Sequence, residues 1–358
     1  MYNKFLVCIC SIALSVIFFS CKNENTPVID KKLEVYFKLT APANNSSAKL
    51  NDSLKVSFVI SKQNVKLDSS QVFFDNNYIS SLKNGVTSYS FLPSAGKLGV
   101  HKVSLKTFYE DGKNETLESN IKILSDVIPK PEKFTVVKTY PHSKADFTEG
   151  FEFYKGYIYE STGLEGKSLI KKYDLASGKT LKEIPLDKQY FGEGITIFDN
   201  KIYQLTWKNK KGFVYNLDDF KFIQNFTYNT EGWGMTNNGK ELIMSDGTNK
   251  IYYMNPYSFA ITSNIEVYDN MGAITNINEL EYYKGNIYAN VWRTFLILKI
   301  DAATGKVLGR MDLEELMKQA GNLQEIDVLN GITINPATGN LLVTGKLWNK
   351  IFEIKISE

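Results

Sequence analysis

The chain has 358 residues and a formal net charge of +3, with 42 basic and 39 acidic side chains mixed along its length. It has no basic stripe of the kind that nucleic-acid binding needs, so no nucleic-acid partner is expected. The length is sufficient for two domains, each with its own core. Two of the three cysteines, Cys8 and Cys10, lie in an apolar N-terminal run, so neither a disulfide framework nor a cysteine zinc site is expected.

The N-terminus has the pattern of a secretory signal. Lys4 precedes "FLVCICSIALSVIFF", which is short for a membrane span. The following "FFSC" resembles a bacterial lipoprotein signal, which implies cleavage before Cys21 and diacylation of its sulfur. The alternative is an ordinary signal peptide with a chance cysteine. We expect a signal peptide over 1–20, a polar tether over 21–30, and a lipid-anchored chain in the cell envelope, on the periplasmic or outer-membrane face.

Residues 31–126 have the period-two apolar pattern of short β-strands, as in "SLKVSFVI" and "SQVFFDN". Strands at this spacing over about a hundred residues predict a small immunoglobulin-like β-sandwich, although the cysteines and tryptophan of antibody-type domains are absent. We expect this module to be a spacer rather than a binding domain. The proline-containing segment 127–133 is predicted to be a linker.

The remainder, 134–358, contains five similar segments. Each has a strand, a tight polar turn and a second strand, and most are followed by a further hairpin. The segments are "TEGFEFYKGYIYESTG", "GEGITIFDNKIYQLTW", "TEGWGMTNNGKELIMSDG", "INELEYYKGNIYANVW" and "LNGITINPATGNLLVTGK". Four strands per unit at this period predict an all-β fold, a five-bladed β-propeller.

The two ends of this region predict how the ring closes. The fifth unit ends at its third strand, "KIFEIKISE", and then the chain stops. The missing fourth strand is predicted to be "EKFTVVKTY" at 132–140, which would leave no sheet edge open. One helix is predicted, over 312–322 between the fourth and fifth blades.

Function is expected where equivalent positions of the blades differ. Hairpin geometry places the start of each first strand and the end of each second strand at the same mouth. The strand starts are Glu149, Glu193, Glu231, Glu279 and Asn330, and the strand ends are Gly163, Trp207, Gly247, Trp292 and Lys346. Phe147, Phe191 and Trp233 lie close to these positions. Packing between blades is the alternative explanation for the aromatic residues, but packing alone would favour similar residues in every blade.

A carboxylate in an aromatic funnel is a candidate for proton transfer, because apolar walls raise its pKa toward neutrality. The two histidines, His101 and His142, are in different predicted domains. No zinc cluster of histidines is therefore expected, and a Ser-His-Asp triad is not expected either, although His142 alone remains a candidate member. The chain has no phosphate-binding glycine loop with lysine. Two functions are therefore still compatible with these residues: acid/base chemistry by a carboxylate, or simple ligand binding.

The motifs "FTEGFEF", "FGEGITIFDNKIYQLTWK", "EGWGM", "INELEY" and "LNGITINPATGNLLVTGKLW" resemble the plant and bacterial glutaminyl-peptide cyclotransferases, in the same order and over nearly all of 135–358. The resemblance implies a five-bladed propeller. It also implies that the partner is a peptide or protein with an N-terminal glutamine, which is converted to pyroglutamate with release of ammonia. A single carboxylate of raised pKa could take and return the proton, and orientation would favour the intramolecular ring closure.

The resemblance also implies roles for individual residues. Glu193 would be the catalytic acid/base, Asn278 would hydrogen-bond the substrate, and Lys346 would lie near the developing oxyanion or hold the carboxylate. The aromatic cage would consist of Phe147, Phe191, Trp207, Trp233 and Trp292. The family usually has glutamine where this chain has Glu149. That second carboxylate could raise the pKa of Glu193 or trap the substrate ammonium.

Two other functions compete with the cyclotransferase. One is a non-catalytic propeller lipoprotein that binds a peptide or glycan at the same mouth. The other is a calcium-dependent lactonase-like hydrolase, for which Glu193 with Asn278 is only a partial ligand set. The cyclotransferase needs no cofactor. Folds of this kind can hold a structural divalent metal in the channel, but no such metal follows from the sequence. A monomer is expected.

Overall fold

The structure, a computed structural model, describes residues 35–93, 96–110 and 112–357. The predicted signal over 1–20, the tether over 21–30 and Cys21 lie outside the described residues. Tyr36–Glu358 form one compact unit. Across the described ranges, no helix is long and apolar enough to span a membrane.

Two sheets form the N-terminal part of this unit. One has three strands in the order β1-β3-β6, and the other has five in the order β2-β8-β7-β4-β5. Their apolar faces share a core that includes Phe37, Val72 and Leu105. The strands are β1 (Phe37–Ala41), β2 (Ser46–Lys49), β3 (Leu54–Ile60), β4 (Leu67–Phe74), β5 (Asn77–Lys83), β6 (Ser88–Phe91), β7 (Gly99–Tyr109) and β8 (Lys113–Leu124).

Five four-stranded antiparallel sheets follow, which we call blades 1 to 5. Blade 1 has β11 (Thr148–Tyr154), β12 (Tyr157–Thr162), β13 (Leu169–Asp174) and β14 (Thr180–Pro185). Blade 2 has β15 (Gly192–Phe198), β16 (Lys201–Thr206), β17 (Lys211–Asn216) and β18 (Phe222–Thr227). Blade 3 has β19 (Met235–Asn237), β20 (Leu242–Ser245), β21 (Lys250–Met254) and β22 (Ile261–Glu266).

Blade 4 has β23 (Ile277–Tyr283), β24 (Asn286–Val291), β25 (Leu296–Asp301) and β26 (Val307–Asp312), and the short β9 (Lys130–Pro131) pairs with β26 in parallel. Blade 5 has β27 (Leu329–Asn335), β28 (Asn340–Gly345), β29 (Lys350–Ile356) and β10 (Phe134–Pro141). The first strand of each blade contacts the first strand of the next, and β27 contacts β11, so the first strands form a closed ring. The all-β prediction is confirmed.

The predicted closure strand is confirmed. β10 pairs antiparallel with β29, with Phe134 opposite Ile356 and Pro141 opposite Lys350. The strand that opens this region is therefore the outer strand of the sheet formed by the last three strands. Tyr140 on β10 also donates a 2.8 Å hydrogen bond to Glu353 on β29. The predicted helix is shorter than expected: α1 spans only Glu314–Met317.

The N-terminal sheets pack against blades 3 and 4. Tyr268 from the loop after β22 belongs to the core of the two N-terminal sheets. The Ser125 amide donates to the Asp269 carbonyl, and Lys306 forms a 2.8 Å ion pair with Asp126. The segment 127–133, predicted as a linker, includes β9 and is therefore held against blade 4.

The glycines of "FGEG" act through close packing and not through a tight turn. Neither Gly192 nor Gly194 has a positive φ. A Cβ on Gly194 would lie 2.4 Å from the Met235 nitrogen, and one on Gly192 would lie 2.8 Å from the Thr162 carbonyl oxygen. Backbone from blades 1 and 3 fills the space beside these glycines, so they do not leave room for a ligand there.

We expect Gly194→Ala to lower the free energy of unfolding by about 1–3 kcal/mol, because its methyl would overlap immobile backbone of blade 3. Gly272→Ala is the matched control, since nothing lies within 4 Å of a Cβ at that position. Thermal unfolding of both variants measures the difference. Equal melting temperatures for Gly194→Ala and the wild type would contradict the packing role.

Candidate active site

A cavity of about 270 Å³ opens at the mouth of the propeller channel. All nine residues that the sequence predicted for the site line this cavity. Arg293, Asp327 and Val328 line it as well, and the sequence analysis did not identify them. The predicted nine are Phe147, Glu149, Phe191, Glu193, Trp207, Trp233, Asn278, Trp292 and Lys346.

Four first strands have a β-bulge at their start, and in three of them the bulge turns a side chain (Glu149, Glu193 or Asn278) into the mouth. In β15, Gly192 pairs with Thr206 while Ile195 pairs with Gln204, so one extra residue is accommodated between them. Blades 1, 4 and 5 have register shifts at the same place. This register makes Glu149, Asn278 and Asn330 the equivalents of Glu193.

Two of the predicted strand-start equivalents are wrong. Trp233 lies two residues before Met235, just as Glu193 lies two residues before Ile195, so Trp233 and not Glu231 is the blade 3 equivalent. In blade 4 the equivalent is Asn278 and not Glu279. The repeat pattern alone did not reveal the offset, because "EGWGM" and "NELEY" each place a glutamate close to the correct register.

Glu279 instead lies buried below the mouth and accepts hydrogen bonds from the amides of Phe151 (3.2 Å) and Ile332 (2.8 Å). Two half-buried glutamates, Glu152 and Glu281, likewise accept hydrogen bonds from amides of adjacent first strands through their carboxyl groups. Burial raises the pKa of each of the three carboxyl groups. These carboxylates satisfy backbone donors that face the channel, so their role in the fold is structural.

The base of the cavity contains an ion pair between the first and fifth blades. The Lys346 Nζ lies 2.6 Å from Oε1 of Glu149, and both side chains are almost fully buried. Asn330 Nδ2 approaches the other oxygen of Glu149 at 3.5 Å. Burial raises the pKa of Glu149 to about 7, while the Lys346 ammonium opposes that rise.

Glu193 has only 6% of its surface exposed, and it lines the same cavity as Glu149, from the equivalent position of the adjacent first strand. Burial raises the pKa of Glu193 well above its ordinary value, and the negative charge of Glu149 raises it further. The Lys346 ammonium opposes this rise, but it is the smaller influence. The prediction that the site raises the pKa of this carboxylate is confirmed.

Aromatic rings form two walls of the cavity. On one side, the rings of Phe147 and Phe191 are 6.3 Å apart, and those of Phe191 and Trp207 are 5.7 Å apart. On the other side, Trp233 and Trp292 meet edge to face at 5.5 Å. Such walls exclude water around a small side chain and strengthen electrostatic interactions with the carboxyl groups.

Two blades contribute no side chain at the strand end because neighbouring rings occupy the space. A Cβ on Gly163 would lie 2.5 Å from the Phe191 ring, and one on Gly247 would lie 2.6 Å from the Trp233 indole. The two glycines among the strand-end residues are therefore what allows the aromatic walls to close. This explains why equivalent positions combine glycine with large residues.

Glu231 positions both aromatic walls. Its Oε2 accepts hydrogen bonds from the indole Nε1 of Trp207 at 2.8 Å and from that of Trp233 at 3.0 Å. The sequence analysis noted Glu231 as a strand-start residue without recognising this function. The pattern that could have indicated it is a carboxylate two residues before a tryptophan at the mouth.

The remaining polar groups of the cavity are available to a ligand. Asn278 is buried, and its Oδ1 has no hydrogen-bond partner among the described residues. Arg293 is exposed at the rim, where its guanidinium stacks on Trp292 at 4.3 Å. Asp327 is also exposed and lies beside Val328. An unpaired buried acceptor facing a cavity is costly, and a ligand N–H would satisfy it.

A buried cluster with metal-like spacing consists of Glu160 on β12 with His142 and Asp146 from the loop between β10 and β11. The Lys171 ammonium, however, forms ion pairs with both Asp146 and Glu160. His142 bonds the Trp348 carbonyl at 2.7 Å and Glu160 at 3.2 Å. Since a lysine ammonium already lies among these carboxylates, the cluster links blade 1 to the end of blade 5 without needing a metal.

Comparison with known proteins shows similarity across the propeller region. A family model described as "Glutamine cyclotransferase" matches residues 114–356. The glutaminyl-peptide cyclotransferase of Arabidopsis thaliana is 36% identical over 239 residues, which cover 65% of this chain and 74% of that protein. The crystal structure of Myxococcus xanthus glutaminyl cyclase superposes with a TM-score of 0.60 at 31% identity, covering 64% of this chain and 98% of the other.

We expect Glu231→Leu to loosen both aromatic walls, because the indole groups of Trp207 and Trp233 lose their shared acceptor. Tryptophan emission should shift and become more accessible to acrylamide. Glu231→Gln is the matched control, since its amide oxygen can still accept both bonds. Identical quenching in the Leu variant and the wild type would show that Glu231 does not position the indoles.

Proposed function

The chain belongs to the glutamine cyclotransferase family, and from this membership we propose that it acts as a glutaminyl-peptide cyclotransferase. Its substrate is a peptide or protein with an N-terminal glutamine. The α-amine attacks the side-chain amide carbonyl, a five-membered lactam forms, and ammonia leaves. The observation that carries the proposal is the single cavity that contains a buried carboxyl pair between aromatic walls.

The substrate supplies its own nucleophile, so the protein has to orient two groups and move protons. Phe147, Phe191 and the three indoles of the cavity hold the glutamine side chain in a folded pose, which favours the intramolecular attack. The Asn278 Oδ1 accepts a hydrogen bond from a substrate N–H, which its unpaired, buried state supports. Glu193 transfers protons between the attacking and leaving nitrogens.

Lys346 pairs with the Glu149 carboxylate and not with Glu193, the carboxylate that the sequence had suggested for it. The ammonium lies 2.6 Å from Glu149 and 4.6 Å from the centre of the Phe147 ring. In this position it lowers the pKa of both cavity carboxyl groups. The reaction uses no cofactor, and the family indicates none. Adding a chelator to the activity assay tests whether a structural divalent metal is also needed.

The part of the chain before the propeller bears on where the reaction occurs. We place the protein in the cell envelope through a lipid on Cys21, with the module over 31–126 as a spacer. The contacts of that module with blades 3 and 4 support a fixed orientation of the propeller relative to the module. We propose that the chain acts as a monomer.

We expect Glu193→Gln to reduce kcat on a glutamine-initiated peptide at least about 100-fold, because an amide cannot transfer the protons. A coupled assay for released ammonia, with a circular dichroism check of folding, measures this effect. Turnover should persist in the presence of a chelator. A wild-type protein that releases no ammonia would favour the alternative of a non-catalytic propeller that binds a peptide or glycan.

We expect Trp207→Ala to raise KM more than it lowers kcat, because the variant removes one wall of the cavity and leaves the carboxyl pair in place. Phe222→Ala is the control, since Phe222 is an exposed aromatic residue on β18, the outer strand of blade 2, and does not line the cavity. Steady-state kinetics on one peptide compare the two. Unchanged kinetics in Trp207→Ala would reassign that indole to packing.

A further inference from the structure

The two cavity carboxyl groups have unequal surroundings. Glu149 has the Lys346 ammonium at 2.6 Å and the Asn330 amide at 3.5 Å. Glu193 forms no ion pair with any described residue, and it shares the cavity with Glu149, whose charge is the largest neighbouring charge influence on its pKa. The geometry therefore favours negative charge on Glu149 and a neutral acid at Glu193.

Two buried carboxyl groups that line one small cavity cannot both be ionised without repulsion between their charges. One proton between them removes the repulsion and lets one group donate to the other. Environments that separate the ionisation of two acids in this way are typical of sites where one acts as acid and the other as base.

We propose that Glu149 is a second catalytic carboxylate, and that it shares one proton with Glu193 while Lys346 fixes the charge on Glu149. This inference rests on the proposed cyclotransferase function. At rest, Glu149 is the carboxylate that receives a proton from the substrate ammonium, and Glu193 is the carboxylic acid that protonates the leaving nitrogen.

The reaction balances with these two groups alone. The Glu149 carboxylate takes one proton from the α-ammonium, and the free amine attacks the amide carbon to form the new C–N bond. Glu193 gives its proton to the amide nitrogen as the old C–N bond breaks, and then takes the surplus proton from the ring nitrogen. Ammonia takes the proton from Glu149 and leaves as ammonium, so the pair returns to its starting state.

The other charged or titratable groups around the pair do not change this distribution. The charge of Glu231 raises the pKa of Glu193, and that of Asp327 raises the pKa of Glu149. Burial raises the pKa of Tyr228, whose hydroxyl donates to the Thr206 carbonyl. Arg293 stacks on Trp292 at the exposed rim. Lys346 is therefore the cation that acts within the cavity.

Infrared difference spectroscopy without substrate tests the shared proton directly. Subtracting the spectrum of Glu193→Gln from that of the wild type assigns the carboxylic-acid C=O band of Glu193. Subtracting the spectrum of the double variant from that of Glu149→Gln gives the same band when Glu149 is neutral. We expect the band at pH 7 in the wild type. The pH at which half of this band is lost, its midpoint, should fall by at least about one unit with Glu149→Gln, because the like charge is lost and Lys346 can turn to Glu193.

A missing Glu193 band at pH 7 in the wild type, or a midpoint unmoved by Glu149→Gln, would overturn the proposal. Glu152→Gln is the matched control, because Glu152 is a buried carboxyl group outside the pair and should leave the midpoint unchanged. If Glu149→Gln does not fold, Lys346→Met replaces it. Loss of the cation should then place a second proton on the pair and strengthen the acid band at pH 7, and an unchanged band would count against the pair.

Kinetics give a second readout. A plot of kcat/KM against pH should be bell-shaped in the wild type. Its acid and basic limbs should report the two successive ionisations of the pair formed by Glu149 and Glu193. In Glu149→Gln the basic limb, which reports loss of the Glu193 proton, should move to lower pH by about one unit, because the like charge of Glu149 is lost. A basic limb that stays in place would contradict the proposal. Absence of ammonia release by the wild type would instead refute the cyclotransferase function, and the spectra would still decide the shared proton.

Discussion

The pairing of β10 with β29 is the contact on which the site depends. It makes the strand that opens the propeller the outer strand of the last blade, and so brings blade 1 against blade 5. Lys346 and Glu149 are 197 positions apart in the chain, yet this closure places their charged groups 2.6 Å apart. An open ring would leave a buried ammonium and a buried carboxylate unpaired, which is costly. Closure of the ring is therefore what pairs the two opposite charges at the cavity.

Close packing of the first strands produces the cavity. Gly150 and Gly194 allow backbone from the next blade to approach where a Cβ would overlap it. The bulges then direct Glu149, Glu193 and Asn278 into a narrow mouth. Few water molecules can share this space, so burial becomes the largest influence on the pKa of both carboxyl groups. The acid/base properties of the site follow from this backbone packing.

Carboxyl groups in this channel have two distinct roles. The carboxyl groups of Glu152, Glu279 and Glu281 also have raised pKa values, yet each accepts hydrogen bonds from backbone amides of neighbouring blades. Glu149 and Glu193 face the cavity and each other. A raised pKa by itself therefore does not identify a catalytic group in this fold, and the partners of each carboxyl group distinguish the structural acids from the reactive pair.

Much of the architecture could be predicted from the sequence because strand, turn and strand recur within short segments. The repeated hairpins predicted the all-β fold, and the unit without a fourth strand predicted the closure by β10. Register was harder, because the bulges add one residue that no periodic pattern shows. As a result, Glu231 and Glu279 were assigned to positions that Trp233 and Asn278 occupy. The predicted helix was too long, since only Glu314–Met317 are helical.

The sequence by itself determined nine of the side chains that line the cavity, because hairpin geometry returns the end of each second strand to the start of the first, and the family resemblance added Asn278. Only the tertiary structure decided how they act together. It pairs Lys346 with Glu149 rather than with Glu193, joins two indoles through Glu231, and fills the space beside Gly194 with backbone. These are contacts between blades, and their distances depend on ring closure and strand register, which local sequence patterns do not encode.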